Sequence, residues 1–100
     1  MERLLQVEDR FLIAGRGVVV APVLPLSGRT SFQAFQDTVQ VRRPDGTTRD
    51  LLAEFAPEHH RLIAGGSRWC IVVRFPSASK DDIPVGSIIL ASAETHDRIL

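Results

Sequence analysis

The chain has 100 residues, 44% of them hydrophobic, and twelve basic residues balance twelve acidic ones. This length corresponds to about one domain with a single core, and the moderate charge argues against global disorder. A dedicated nucleic-acid binder usually has a basic excess, which is absent. No segment has the length and hydropathy of a membrane helix or the pattern of a secretion signal, so we expect a cytoplasmic protein without a membrane partner.

Short apolar segments separated by turn signals predict six β-strands, at residues 4–14, 17–21, 36–43, 48–56, 69–75 and 86–91. Gly15-Arg16-Gly17 predicts a hairpin turn, and Pro44-Asp45-Gly46-Thr47 predicts a second turn. Pro22 and Pro25 predict that the second strand ends, or lies at an edge, near them.

Closure of a small sheet removes its exposed edges. The pattern therefore predicts an all-β fold, a small closed six-stranded antiparallel β-barrel, in a single domain at residues 1–100. The barrel is expected at about residues 4–92, with a tail at 93–100 that frays. The strand from Trp69 to Phe75 is continuous in apolar residues and is expected to be the most buried. The single cysteine, Cys70, cannot form an intrachain disulfide and is expected to be a buried apolar residue.

Residues 7–20, VEDRFLIAGRGVVV, resemble the opening hairpin of the second domain of elongation factor Tu, whose pattern is V-E-D-x-F-x-I-x-G-R-G-x-V-V. Residues 71–74, IVVR, followed by residues 80–86, KDDIPVG, resemble the family's penultimate strand, its acidic segment and the glycine that opens its final strand. The resemblance spans about residues 5–91 and implies an elongation factor Tu domain 2-like barrel. The chain has no G-x-x-x-x-G-K-[ST] loop, so we expect no GTP binding.

In that family the barrel helps to hold the aminoacylated end of tRNA. The resemblance places Glu54 at an acidic position that lies against the terminal adenosine. Arg68 stands where the family has an asparagine near the aminoacyl group, and Val85 stands where it has an arginine that contacts the 5′ end. Residues 21–23 replace the family's T-G-R. Loss of the arginine removes a charge-assisted phosphate contact, so we expect ordinary aminoacyl-tRNA binding to be lost.

Three residues are candidates for binding: Arg16, Glu54 and Arg74. Arg16, between two glycines, could present its guanidinium to a phosphate or a carboxylate, or could be a solvated turn residue with a local role in the fold. Arg74 ends an apolar strand and could mark a binding site at the barrel mouth. Alternatively, it pairs with a nearby acid such as Asp81 or Asp82.

Catalytic and metal-binding patterns are weak, so we expect no enzyme, no cofactor and no metal. The neighbours Glu58, His59 and His60 would point to alternate faces of a strand, which suits a shared metal ion poorly. Ser77, His59 and Asp81 have the residue types of a catalytic triad, but no nucleophile elbow accompanies them and their spacing does not force them together. The aromatic residues are expected in the core rather than stacked on bases; they are Phe32, Phe35, Phe55, Trp69 and Phe75.

We therefore expect a non-enzymatic barrel module that mediates protein–protein interaction or self-association. Its partner would be another protein or a second copy of the chain. One alternative is an RNA-binding remnant of a translation factor, for tRNA or rRNA, that uses Arg16, Glu54 and Arg74. Another is a small-ligand binding protein or an unrecognised enzyme that uses the loop at residues 57–68.

Overall fold

In the residues that the structure describes, turns separate seven β-strands, and one short α-helix follows the last of them. The computed structural model describes residues 1–26, 32–61 and 65–99. The strands are β1 (Glu2–Gln6), β2 (Asp9–Ile13), β3 (Gly17–Pro25), β4 (Phe35–Arg42), β5 (Thr48–Arg61), β6 (Ser67–Phe75) and β7 (Ile88–Ala91). A 3-10 turn (Lys80–Asp82) lies between β6 and β7, and helix α1 (Ala93–Ile99) follows β7.

All strand pairs are antiparallel, and they form one sheet in the order β1-β7-β4-β5-β6-β3-β2, which curls into a half-barrel. The concave face holds the core. Its fully buried members are mostly branched aliphatic and aromatic side chains, among them Val18, Val20, Val39, Val41, Phe55, Ile71, Val73, Phe75, Ile83 and Ile89. Buried positions alternate along β3, β4 and β5, as expected for strands with one buried face, whereas residues 70–73 of β6 and 89–91 of β7 are all buried.

The all-β class is confirmed, but the closed six-stranded barrel differs from the observed sheet of seven strands. The predicted first strand is two strands, because the chain changes its hydrogen-bonding partner at Val7 and Glu8. The N–H of Val7 donates to the carbonyl of Ser87 at 2.8 Å, whereas the N–H of Glu8 donates to the carbonyl of Ala21 at 2.8 Å. β1 therefore pairs with β7 and β2 pairs with β3, and none of the described ladders joins β1 to β2.

Both predicted turns are confirmed. Gly15 and Gly17 have φ values of 78° and 83°, a region that glycine adopts without strain. Gly17 also needs to lack a side chain, because a Cβ at this position would overlap the carbonyl oxygen of Phe75. In the second turn, the Asp45 carboxylate accepts hydrogen bonds from the N–H and hydroxyl of Thr47, at 2.9 and 2.6 Å.

Two strands are longer than predicted. β3 continues through Pro22 to Pro25, because this half of the strand pairs on one side only, with β6, and an edge tolerates residues that lack an N–H. β5 continues through the segment that was expected to be an irregular loop, because residues 54–61 pair in register with residues 67–74 of β6.

The C-terminal segment and the start of β6 also differ from expectation. The predicted fraying tail is helix α1, in which Thr95 and Ile99 are buried. Ile99 packs into the core, which anchors the helix. In β6, residues 70–73 and Phe75 are buried as predicted, but Trp69 is 55% exposed because it lies beyond the core, against His59 of β5. None of the helices in the described residues has the length and hydropathy of a membrane span.

Candidate functional site

The three predicted binding residues lie together on the outer, convex face of the sheet. Glu54 of β5 and Arg74 of β6 are directly opposite each other in the strand register. The Nε and Nη2 atoms of Arg74 donate to one carboxylate oxygen of Glu54, at 2.8 and 2.5 Å. The Nη1 atom of Arg74 donates to the backbone carbonyl of Arg16 at 3.0 Å. Arg74 thus ties the β2–β3 turn to the β5–β6 hairpin.

The guanidinium of Arg16 reaches a second carboxylate, that of Glu58, with which it forms an ion pair. Glu54 and Glu58 are two residues apart on β5, so their side chains point to the same face. We call Arg16, Glu54, Glu58 and Arg74 the ion-pair cluster. It contains two bases and two acids, and each guanidinium has a carboxylate partner. The cluster therefore offers no uncompensated charge to a ligand.

The electrostatics of the cluster favour a structural role. The hydrogen bonds from Arg74 hold the pKa of Glu54 below its ordinary value, and desolvation opposes this effect only in part. A second donor, the side-chain amide of Gln36, lies 3.2 Å from the other carboxylate oxygen. Glu54 is thus an ionised acceptor whose oxygens are occupied by donors of the same sheet. Such a group holds strands together and is poorly suited to donate a proton.

The acids that were considered as partners of Arg74 lie elsewhere. Asp82 accepts a hydrogen bond from Nη1 of Arg49 at 2.6 Å, and one of its oxygens is 3.7 Å from Arg43. Its other carboxylate oxygen caps the 3-10 turn by accepting from the backbone N–H of Ser79 at 2.9 Å. This bond contributes most to lowering the pKa of Asp82. Asp82 therefore anchors the turn before β7 to β4 and β5.

Of the residues considered for metal binding, Glu58 and His60 lie on one face of β5, with Oε1 and Nε2 4.0 Å apart, whereas His59 lies on the other face. His59 pairs with Trp69 at the start of β6, whereas Ser77 follows the other end of that strand. Among the described residues, no three His, Cys, Asp or Glu side chains are placed to share a metal ion. The Cys70 thiol is buried, which raises its pKa, and it lies 3.5 Å from the backbone carbonyl of Glu58. Residues 62–64 of the predicted 57–68 loop lie outside the described residues.

An exposed apolar strand is a further surface feature, and it contains none of the three predicted binding residues. Phe11, Leu12 and Ile13 follow one another in β2 and are 50%, 64% and 39% exposed. Among the described strands, β2 is at one end of the sheet and pairs with β3 alone. The available signal was the uninterrupted apolar run itself, because a strand with one buried face alternates between apolar and polar residues.

Phe11 and Ile13 of the exposed strand share the convex face with the ion-pair cluster, whereas Leu12 lies opposite the buried Val18 and points to the other face. Residues that face each other in neighbouring strands form a single row across the convex face, from β2 to β4. In order, the row is Phe11, Val19, Arg74, Glu54 and Gln36. The convex face is therefore apolar at the β2 edge and charged, but internally compensated, at its centre.

Comparison of the chain with protein-family models, with curated proteins and with solved structures finds no match.

Proposed function

We propose that this chain is a non-enzymatic, translation-factor-like β-barrel module that acts through protein–protein interaction, and that a second copy of the chain pairs with it along β2. The observation that carries the proposal is the run of three exposed apolar side chains on a strand whose outer edge has no partner strand in the described part of the chain. Free edges of this kind pair readily with another strand.

The barrel part of the proposal concerns closure. β1 and β2 are two halves of one continuous segment, and at Val7 and Glu8 its backbone bonds to both Ser87 and Ala21, which lie next to β7 and in β3. A segment that bridges these two strands would close the sheet as in the elongation factor Tu-like barrel that the sequence resembles. The resemblance and this bridge support the proposal together.

The sequence of β2 is suited to pairing with itself. In an antiparallel pair centred on Leu12, the Leu12 side chains of two copies face each other, and Phe11 faces Ile13 of the other copy on both sides of the centre. Arg10 then lies opposite the small residue Ala14. Such an interface is isologous, with the same residues contributed by both copies, and a two-fold axis generates it.

The size of the apolar surface predicts the strength of this dimer. Fully burying a side chain of this kind contributes about 1.5–3 kcal/mol, and here about half of each is available, so three residues from each copy contribute about 6 kcal/mol. Association itself costs ~4–15 kcal/mol in lost translational and rotational freedom. The ladder hydrogen bonds add little net stability, because water already satisfies the free edge. We therefore expect a weak dimer that dissociates on dilution.

The RNA-binding alternative has less support from this surface. Both candidate arginines, Arg16 and Arg74, are paired with carboxylates, and RNA phosphates would have to displace those acids. The surface offers no further observation in favour of RNA. Salt-sensitive retention of tRNA or rRNA by the protein would support this alternative.

The experiment is sedimentation velocity over a wide concentration series. The wild type is expected to move from monomer to dimer as its concentration rises. Leu12→Lys places two cations at the centre of the proposed interface and should remain monomeric. Leu52→Lys is the matched control, because Leu52 is also exposed, at 44%, but lies on β5. A wild-type protein that is monomeric at every concentration, or equal effects of the two substitutions, would overturn the proposal.

A further inference from the structure

A groove of about 620 Å³ lies on a different part of the molecule, between β1 and the second half of β3. One wall is formed by residues 3–8 and the other by residues 22–25, with Val85 and Gly86 between them. The volume is in the range of pockets that hold small ligands or short peptides. This groove does not include the exposed residues of β2.

The walls of the groove are strand edges. β1 is an end strand of the sheet, and in the described part of the chain its one partner strand is β7. Leu24 and Pro25 pair with β6, whereas the pairing of β3 with β2 stops at Ala21. The two walls are joined at one end by the hydrogen bond from the Glu8 N–H to the Ala21 carbonyl, and beyond it no described ladder connects them. The groove therefore occupies the place that one further strand would fill between β1 and β3.

The surface of the groove is apolar in the middle and charged at its ends. Leu4 and Leu24 pack against the core at its base, and Val85 is 49% exposed. Arg3 lies towards one end, and its side chain donates to that of Gln6 at 3.4 Å. Glu8 lies at the other end, and within the described residues neither Arg3 nor Glu8 has an ion-pair partner.

These features define the shape and charge of an occupant. The free edge of β1 ends at Gln6, because the Glu8 N–H is already bonded to the Ala21 carbonyl. An added strand would therefore pair with residues 3–6, about 10–13 Å at ~3.3 Å per residue, and its end would lie beside the Glu8 side chain. Pro22 and Pro25 have no N–H to donate, so the hydrogen bonds of an inserted strand would be made chiefly with β1. An antiparallel partner of β1 would place its N-terminal end near Glu8 and its C-terminal end near Arg3.

We propose that this groove binds an extended segment of a partner protein, which adds a strand antiparallel to β1. The segment carries a basic residue at its N-terminal end, which faces Glu8, apolar residues at alternate positions, and an acidic residue at its C-terminal end, which faces Arg3. Addition of a strand to a free sheet edge supplies main-chain hydrogen bonds, and alternate side chains supply specificity. This proposal does not depend on dimerisation through β2.

The test is a charge swap. Two fluorescent peptides, R-V-T-V-T-E and E-V-T-V-T-R, differ only in which end is basic. Wild-type protein should bind the first about tenfold more tightly in fluorescence anisotropy, because two exposed ion pairs together contribute about a factor of ten in Kd. The double variant Arg3→Glu/Glu8→Arg should reverse the preference. Glu2→Arg is the control, since Glu2 is exposed and does not line the groove.

Amide chemical shifts identify where the peptide binds. Addition of the first peptide should shift amides of residues 3–8 and 23–24, and the Leu12→Lys variant should respond in the same way. Equal binding of the two peptides, no binding of either, or shifts confined to β2 would overturn the proposal. Shifts in β1 that appear without peptide as protein concentration rises would also overturn it, because a second copy would then be the occupant. Failure here leaves the sedimentation result for β2 unaffected.

Discussion

Removal of the Arg74 guanidinium should lower the free energy of unfolding, and the hydrogen bonds and burial of this side chain determine by how much. Arg74→Met keeps most of the aliphatic side chain and removes two hydrogen bonds to Glu54 and one to the backbone of Arg16. Exposed ion pairs contribute up to about 1 kcal/mol, whereas breaking a buried pair costs about 3–5 kcal/mol. The side chains of Arg74 and Glu54 are 20% and 18% exposed, so this pair lies between those limits. We expect a loss of about 2 kcal/mol.

The assay is urea unfolding at neutral pH, supported by thermal melts. For a domain of this size, 2 kcal/mol corresponds to a fall in Tm of about 8–16 °C. Arg42→Met is the matched control, because Arg42 is an exposed arginine of β4 with no described side-chain bond. We expect that substitution to change the free energy of unfolding by less than about 0.5 kcal/mol.

The pH dependence of unfolding gives an independent check. The pKa of Glu54 is lower in the folded protein than in the unfolded chain, so its contribution is complete above the unfolded pKa and is lost as pH falls through the folded pKa. Wild-type stability should therefore fall on acidification through the carboxylate range, and Arg74→Met should fall less steeply there. If Arg74→Met and Arg42→Met have equal stability and equal acid slopes, the assigned role of the ion-pair cluster is wrong.

Three further outcomes follow from local geometry. In urea unfolding, Gly17→Ala should destabilise the fold by at least about 2 kcal/mol more than Gly15→Ala. Both glycines have positive φ, but of the two only Gly17 is placed so that an added Cβ would collide with β6. Equal losses would contradict this. Asp82→Asn should cost about 1 kcal/mol at neutral pH, with the difference shrinking in acid, while the exposed neighbour substitution Asp81→Asn should be near neutral. Ile99→Ala should cost ~2–4 kcal/mol in the same assay, and a negligible loss would show that α1 does not anchor to the core.

Turn chemistry is the part of the fold that the sequence predicts best. The backbone conformation at Gly15-Arg16-Gly17 and at Pro44–Thr47 depends on the residues themselves, through positive φ and the Asp45 side-chain bonds. The bend at Val7 and Glu8 could not be predicted in this way. Apolar alternation continues on both sides of it, and the change of partner from β7 to β3 depends on how the whole sheet curls.

Helix α1 escaped prediction for a related reason. Seven residues are too few to show a helical period clearly, and short helices gain stability mainly from tertiary packing. The burial of Ile99 and Thr95, and the bond from Thr95 to Asp37 of β4, supply that packing. None of these contacts is local in sequence.

The sequence predicts Arg16, Glu54 and Arg74 as binding residues, together only as contacts to a common RNA, and does not predict the ion pairs that they form. Their contact depends on the register between β5 and β6 and on the position of the β2–β3 turn. Glu58 was considered only beside two histidines, as a metal ligand, whereas the fold makes it the partner of Arg16. Register is a property of paired strands, so a single strand's sequence does not reveal which acid meets which base.

The most direct test of self-association through β2 is an isotope-filtered nuclear Overhauser experiment. A concentrated sample that mixes labelled and unlabelled copies reports only contacts between molecules. The proposed antiparallel pairing predicts signals between Phe11 and Ile13 of different copies and between their Leu12 methyl groups. Intermolecular signals that arise elsewhere, or no such signals from a sample that sediments as a dimer, would contradict the assignment of β2 as the interface.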